Sequence, residues 1–278
     1  MATSGRKVSP SRQKPLVELP HPLPAVRVHE QADRPITAYA HDYPAGHRTT
    51  LHAHPRAQLL WAVSGVMRVE TEAASFTLPP QRALFVPASM PHQVTMPGAV
   101  AMRALFISPS QAAGIALGAI VVGPLLRALI LRLAEEPPDW ALDGAGPALC
   151  DLALRELRAA PRLALGVPAF RDPRLRRIAA ALHDDPRDAR TLDHYAELAG
   201  ASPRTLERAF AREAGMSFGR WRTAARLAAA VPLLAEGQKL DRVAHAVGYA
   251  SASSFAAAWR AAFGTTPARA ARLNSDQF

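Results

Sequence analysis

The 278 residues hold one cysteine, Cys150, which excludes an internal disulfide and suits a reducing cytoplasm. Lysine is nearly missing: Lys7, Lys14 and Lys239 are the only three among 33 basic residues, a bias ascribed to a GC-rich coding sequence rather than to function. Carboxylates are also scarce over one long stretch. From Tyr43 to Ile107 only Glu70 and Glu72 occur, which argues against proton-transfer chemistry there. No apolar run before Pro24 can serve as a secretory signal. Ala104 to Leu126 carries no charge, but Ser108, Pro109, Ser110, Gln111, Gly114, Gly118, Gly123 and Pro124 interrupt it. In lipid these would leave backbone groups unpaired, so no membrane span is expected and the chain is read as cytoplasmic.

Against these absences, 49% of the residues are hydrophobic, and the length favours two domains, each with its own core. The formal charge of +10 is unevenly spread. Residues 1–20 carry a net +3, residues 21–170 a net +1 and residues 171–278 a net +6. Such a balance suits a polyanionic partner, although solvated surfaces are often basic too. The leader, residues 1–24, is polar and basic (Arg6, Lys7, Arg12, Lys14) and is expected to be disordered.

The C-terminal third repeats itself. Leu192, Asp193, Ala196 and Gly200 fall on Leu240, Asp241, Ala244 and Gly248, and after a one-residue insertion Leu206, Phe210 and Gly215 fall on Phe255, Trp259 and Gly264. An imperfect repeat of this length is one supersecondary unit used twice. Each unit reads as helix, glycine turn and second helix. Gly200 can take a positive φ, Ser202 offers an oxygen to the free N–H groups of the next helix, and Pro203 sits at its first position. Leu206, Ala209, Phe210 and Ala214 face inward; Arg204, Thr205, Glu207, Arg208 and Arg212 face out. In the second unit Gly248 ends a helix from Leu240, Ser251 or Ser253 opens the next, and Phe255, Ala258, Trp259, Ala262 and Phe263 form its buried stripe. This pattern fits a helix-turn-helix that places its second helix in the major groove, with a plain helical bundle as the alternative. Between the copies, Phe218 to Glu236 reads as one helix of about 28 Å at about 1.5 Å per residue, with Pro232 expected to bend or break it near Ala228.

Leu206, Phe210, Gly215, Ser217 and Trp221, with Ala244, Val247, Gly248, Phe255, Phe263, Gly264 and Pro267, resemble the paired helix-turn-helix domain of AraC/XylS-type transcriptional regulators. The resemblance implies that one protomer sets two recognition helices into successive major grooves of double-stranded DNA, with RNA polymerase a further partner. The candidate DNA-contacting residues are Ser202, Arg204, Thr205, Glu207, Arg208 and Arg212 in the first unit, and Lys239, Arg242, Ser251, Ser253 and Ser254 in the second. Arginine can engage guanine O6 and N7 with two bonds, whereas the outward Ala252, Ser253, Ala256 and Ala257 are too short for that. The first unit is therefore expected to set most of the sequence preference.

From Val26 to Ile107 the texture is of short strands with frequent turns, as in an antiparallel barrel or sandwich. Gly46, His52, His54, Gln58 and Gly65 stand at the spacing of the first cupin motif, and Pro87, Ser89 and His92 resemble the second. This is similar to the sensor domain of many AraC-type regulators. On one strand His52 and His54 would share a face, and His92 from a neighbour would complete a three-nitrogen site suited to Zn, Fe, Ni or Cu. Imidazole must be neutral to ligate, so occupancy is expected to fall below roughly pH 6. Gln58 stands where metal cupins usually carry glutamate. Two readings stay open: a pocket for a small molecule or a divalent transition metal, with no cofactor assigned, or histidines that only hydrogen-bond in the barrel mouth.

Pro124–Glu136 and Gly146–Ala160 read as helices with stripes of Leu125, Leu126, Leu129, Ile130 and Leu133, and of Leu149, Leu152, Ala153 and Leu157. Such stripes face their own core or, as the resemblance implies, a second copy in a homodimer. Residues 161–173 read as a linker and 172–186 as the opening helix of the next domain. The expected architecture is α+β and multidomain: residues 25–165 a cupin-like β-barrel with a helical pair, and residues 170–278 an all-α domain with two helix-turn-helix motifs. The leading function is an effector-controlled, sequence-specific transcriptional regulator, not an enzyme. The rivals are a metal-dependent cupin enzyme with a helical appendage and an effector-independent DNA-binding protein.

Overall fold

The structure, a computed structural model, describes residues 17–19, 24–80, 82–163, 166–263 and 266–268; the leader up to residue 16 and Gly264 of the repeat lie outside the described residues. In chain order the first domain runs β1 (Val17–Leu19), α1 (Pro24–Gln31), β2 (Ile36–Tyr43), β3 (His47–Thr49), β4 (Ala57–Ser64), β5 (Met67–Thr71), β6 (Ala74–Leu78), β7 (Arg82–Val86), β8 (His92–Met96), β9 (Val100–Ile107), α2 (Pro109–Ala112), β10 (Gly118–Val121), α3 (Pro124–Leu133) and α4 (Gly146–Ala159). Then follow β11 (Arg162–Leu163), β12 (Val167–Pro168), α5 (Pro173–Asp184), α6 (Leu192–Leu198), α7 (Pro203–Ala214), α8 (Phe218–Ala235), α9 (Leu240–Ala246) and α10 (Ala252–Phe263).

Among the described residues the strands form two six-stranded sheets, ordered β1-β3-β8-β5-β6-β12 and β11-β10-β7-β4-β9-β2. Strand β4 shows why they face each other. Leu60 and Ala62 join Met67, Val69, Phe76 and Met96 of the opposite sheet in the barrel interior. Their alternates Ala57, Leu59 and Trp61 pack outward with Phe85, Leu105 and Ile107 against Leu126, Leu129, Ile130, Ala153 and Leu157 of α3 and α4. A strand covered on both faces is largely apolar, and Ala57–Ala62 are all buried, with Gln58 the one polar side chain among them. The hinge to β5 is Gly65 at φ 83°, where a Cβ would stand 2.2 Å from the Ala99 carbonyl oxygen, so only glycine fits.

Several expectations are corrected. The segment at Val26 is the helix α1, whose buried Val26 fills the barrel's end. Leu125 and Leu152 stand exposed, because α3 and α4 turn Leu126 and Leu129, and Cys150, Ala153 and Leu154, to the sheet instead. Residues 161–173 are not a free tether: β11 pairs with β10, β12 pairs with β6, and Phe170 enters the core of the second domain.

The second domain has two small cores. One gathers Phe170, Leu175, Ile178, Leu182, Tyr195, Leu206, Phe210, Phe218 and Trp221; the other gathers Leu227, Ala230, Val231, Leu234, Val243, Ala244, Val247, Phe255 and Trp259. Helix α8 contributes to both and continues through Pro232 without the expected break. Ala262 is exposed rather than part of the buried stripe, and Leu198 stands out at 62% exposure.

The domains meet along α5 and α8. Val66, beside the hinge glycine, is 8% exposed and belongs to the core of the second unit. The Arg68 guanidinium lies 3.3 Å from His183 of α5, Glu72 pairs with Arg171, and Trp221 donates to the Pro168 carbonyl at 3.4 Å.

Candidate effector site and nucleic-acid interface

The histidine triad assembles, by a route other than the one expected. His52 and His54 lie between β3 and β4 rather than on one strand, and His52 forms an isolated antiparallel bridge with His92 at the start of β8. Ring centroids are 4.4 Å apart for His52 and His92, 4.8 Å for His52 and His54 and 5.3 Å for His54 and His92. One ligand nitrogen from each lies within 4.8 Å of the others. His54 and His92 are buried and His52 is half-buried.

The outer nitrogens are occupied. Nδ1 of His52 contacts the Thr50 carbonyl at 2.8 Å, Nδ1 of His92 the Met90 carbonyl at 3.0 Å, and Nδ1 of His54 the Glu30 carboxylate. A carbonyl oxygen only accepts, so Nδ1 of His52 and of His92 carries the proton, leaving Nε2 with its lone pair. The Gln58 amide stands 3.1 Å from Nε2 of His92. The atom placed there is Oε1; a nitrogen with a lone pair accepts, so a flip of the amide turns its N–H₂ end to Nε2, and a metal on His92 has to displace that bond. Burial lowers all three imidazoles, His54 and His92 to about 3, with the neighbouring His52 adding to both. The neutral, ligating form of those two therefore persists well below the pH 6 expected for an ordinary imidazole.

Glu30 is not a candidate from sequence, because it lies ahead of the histidine motif on a segment read as strand that folds as α1. Its place is fixed by neighbours. The Thr37 hydroxyl donates to the His29 carbonyl at 2.9 Å, and buried Arg56 donates to the carbonyls of Ala32 at 2.7 Å and Pro35 at 3.0 Å. Burial pushes the Glu30 carboxyl up, opposed by His52 and Arg27. Inside the barrel, a cleft with about 10 Å³ of free space is lined by Tyr43, Thr49, His52, Gln58, Leu60, Val94, Met96 and Met102; of the triad only His52 reaches its walls, and Glu30 does not.

In the second domain both helix-turn-helix units are formed. Gly200 at φ 61° and Gly248 at φ 81° make the turns. The Ser202 hydroxyl accepts from Thr205 N–H at 3.1 Å and lies 2.8 Å from the Thr205 hydroxyl, capping α7. Ser251, rather than Ser253, caps α10: its hydroxyl accepts from Ser254 N–H at 3.2 Å, and the Ser254 hydroxyl bonds back to the Ser251 carbonyl at 2.9 Å. Arg204, Glu207 and Arg208 are exposed on α7, and among the described residues none of the three makes a side-chain hydrogen bond or ion pair. Arg212, also exposed, pairs with Glu213 at 3.0 Å. On α10 Ser253 and Ala257 are exposed while Ala252 and Ala256 are half-buried; Lys239 and Arg242 are exposed at the start of the second unit.

A cupin barrel joined to two helix-turn-helix units defines the class. Residues 40–108 match the cupin domain family and residues 195–272 the helix-turn-helix domain family. The two matches follow the domain order that the AraC-type resemblance implies, a cupin domain and then a helix-turn-helix domain. Among its relatives, the HTH-type transcriptional regulator NimR of Escherichia coli K12 is 29% identical over 220 residues, 79% of this chain and 81% of NimR. RipA of Corynebacterium glutamicum, also an HTH-type transcriptional regulator, is 41% identical over 92 residues, 33% of this chain and 28% of RipA. The crystal structure of ToxT from Vibrio cholerae is 10% identical, with a TM-score of 0.38 over 86% of this chain and 99% of that one. Among the described residues no helix is long and apolar enough to cross a membrane.

Proposed function

We propose that this regulator reads duplex DNA mainly through α7 and that its affinity is set by what the histidine triad holds. The observation that carries the second part is the convergence of His52, His54 and His92, each with Nδ1 engaged by an outward acceptor. Ligating imidazoles are ordinarily oriented in this way by a carbonyl or carboxylate on the other nitrogen. The cleft beside them has only about 10 Å³ of free space, room for about one water molecule and far below the roughly 300–1,000 Å³ of pockets for drug-sized ligands. It suits a divalent transition metal, alone or with a ligand about the size of one water molecule. When bound, such an ion supplies an open coordination position for that ligand.

The same geometry weighs against turnover. A cupin enzyme needs a proton-transfer group facing its substrate; Gln58 is a neutral amide, and Glu30 is spent on His54 and does not line the cleft. The protein is read as cytoplasmic and as a homodimer, with the exposed Leu125 and Leu152 of α3 and α4 as the contact and RNA polymerase as a further partner. Sedimentation of residues 21–165 tests the dimer, and a strict monomer at high concentration refutes it.

The central test uses full-length protein purified without an affinity tag. Elemental analysis after exposure to Zn, Ni, Fe and Cu should find about one equivalent of metal per chain, and promoter-derived duplex should be bound with different affinity by loaded and stripped protein. Absence of metal under all four conditions refutes the metal reading. Equal DNA affinity of the two forms refutes effector control.

A further inference from the structure

We propose that Arg226, outside both recognition helices, fixes the spacing at which the two units read DNA. This inference rests on the reading that both units engage one duplex. Each unit has its own core, and α8 runs between them. Beyond that shared rod, their relative angle needs a second point of contact.

Arg226 supplies it. Half-buried on α8, it donates through Nε to the Pro186 carbonyl at 2.9 Å and through a terminal nitrogen to the Asp188 carbonyl at 3.1 Å. One turn earlier Arg222 donates to the Arg190 carbonyl at 3.1 Å. The segment they grip, residues 186–190, leads into α6 and is itself stiff. Asp188 accepts from the Tyr195 hydroxyl at 2.7 Å and from Arg190, and Asp185 accepts from Arg187 at 3.0 Å. From the other side comes Gly248, the turn glycine of the second unit. A Cβ there would stand 2.8 Å from the Arg226 terminal nitrogen and 2.9 Å from Arg187 Cα. The second unit's turn thus rests on the guanidinium that grips the first unit and on the backbone it grips. Rotating one unit against the other breaks both carbonyl bonds or drives backbone into backbone.

DNA makes this rigidity readable. One base pair added between two subsites moves them by about 3.4 Å and turns them by about 35°. Two flexibly joined units follow such a change, but two locked units do not.

The experiment uses full-length protein and a duplex that the wild type selects from a random pool, with its protected segments mapped by hydroxyl-radical footprinting. Variants of that duplex carry one base pair inserted or removed between the segments. The wild type should lose about tenfold or more in affinity at either change, as for a mismatched subsite, whereas Arg226→Met should differ by no more than about threefold across the three spacings. Gly248→Ala keeps the guanidinium but forces the turn away, and should flatten the profile or move its optimum. A merely destabilised protein loses affinity at all spacings together, so the shape of the profile separates positioning from loss of fold. If circular dichroism shows Arg226→Met unfolded, Arg226→Gln carries the comparison. Both variants keeping the steep wild-type profile overturns the role of Arg226 while leaving two-unit binding intact. A wild-type footprint with a single protected segment overturns two-unit binding, and this proposal with it.

Discussion

Glu30 and His54 meet across 24 residues of sequence, and the carboxylate arrives on a helix rather than on a barrel strand. The contact engages Nδ1 of His54, so Nε2 faces His52 and His92. Replacing such an outer-shell partner ordinarily costs 10–100-fold in metal affinity. Glu30→Gln should therefore weaken metal binding by about that factor in a chelator competition, with the far-ultraviolet spectrum unchanged. Wild-type affinity in the variant would show that the contact orients nothing.

Arg208→Ala should cost about 1–3 kcal/mol at the preferred DNA site and relax base choice at one position. Arg208 is exposed on α7 and makes no competing ion pair among the described residues, so its guanidinium is available for bidentate contact with guanine. Ser253→Ala on α10 should instead weaken all sequences evenly, because a serine hydroxyl chooses little among bases. Selection from random duplexes by the three proteins decides the matter: uniform loss without altered preference in Arg208→Ala would assign that arginine to phosphate.

The parts legible from sequence were those with local causes. Gly200, Ser202 and Pro203 announce a helix end, cap and start within four residues, and all three occupy those places. The histidine spacing was legible as a motif, yet the strand assumed for His52 and His54 was not formed, because their meeting with His92 depends on a single bridge between distant segments. Glu30 left no signal at all, since nothing near it specifies that α1 crosses the barrel end where Arg56 waits for the carbonyls behind it. Which part of the α3 and α4 stripes faces the core is not legible for a similar reason: a stripe wider than the contact looks apolar throughout, and only the docked sheet decides which edge is covered and leaves Leu125 and Leu152 exposed.

Asp172 caps α5, accepting from Arg174 N–H at 2.9 Å and from its guanidinium at 2.7 Å. These bonds, chiefly the side-chain one, hold its carboxyl at about 2. A folded-state value below the unfolded one gives stability that is full above about pH 4 and is lost as pH falls through about 2. Asp172→Asn keeps a capping oxygen and should remove only this acid-side slope; Asp172→Ala should also cost about 0.5–2 kcal/mol at neutral pH. Urea titrations at pH 7 and pH 3 check both. An unchanged slope in Asp172→Asn would assign the acid sensitivity elsewhere.

Communication between the domains should pass through Val66 rather than through the visible ion pair. Glu72 and Arg171 are 77% and 83% exposed in their side chains, and such pairs contribute about 0–1 kcal/mol and are screened by salt. Val66 is 8% exposed and lies in the core that α8 shares with α9 and α10; its strand neighbour β5 pairs with β8, placing Thr71 opposite His92. Shortening an apolar side chain there removes contact at a rate of about 0.8 kcal/mol per methylene, enough to loosen the docking without unfolding either side. The ratio of DNA affinities between metal-loaded and stripped protein is the measurement. Val66→Ala should bring that ratio toward one, while Glu72→Ala should leave it at the wild-type value. The reverse pattern, with Glu72→Ala losing the response and Val66→Ala keeping it, would place the coupling in the exposed charges and refute this assignment.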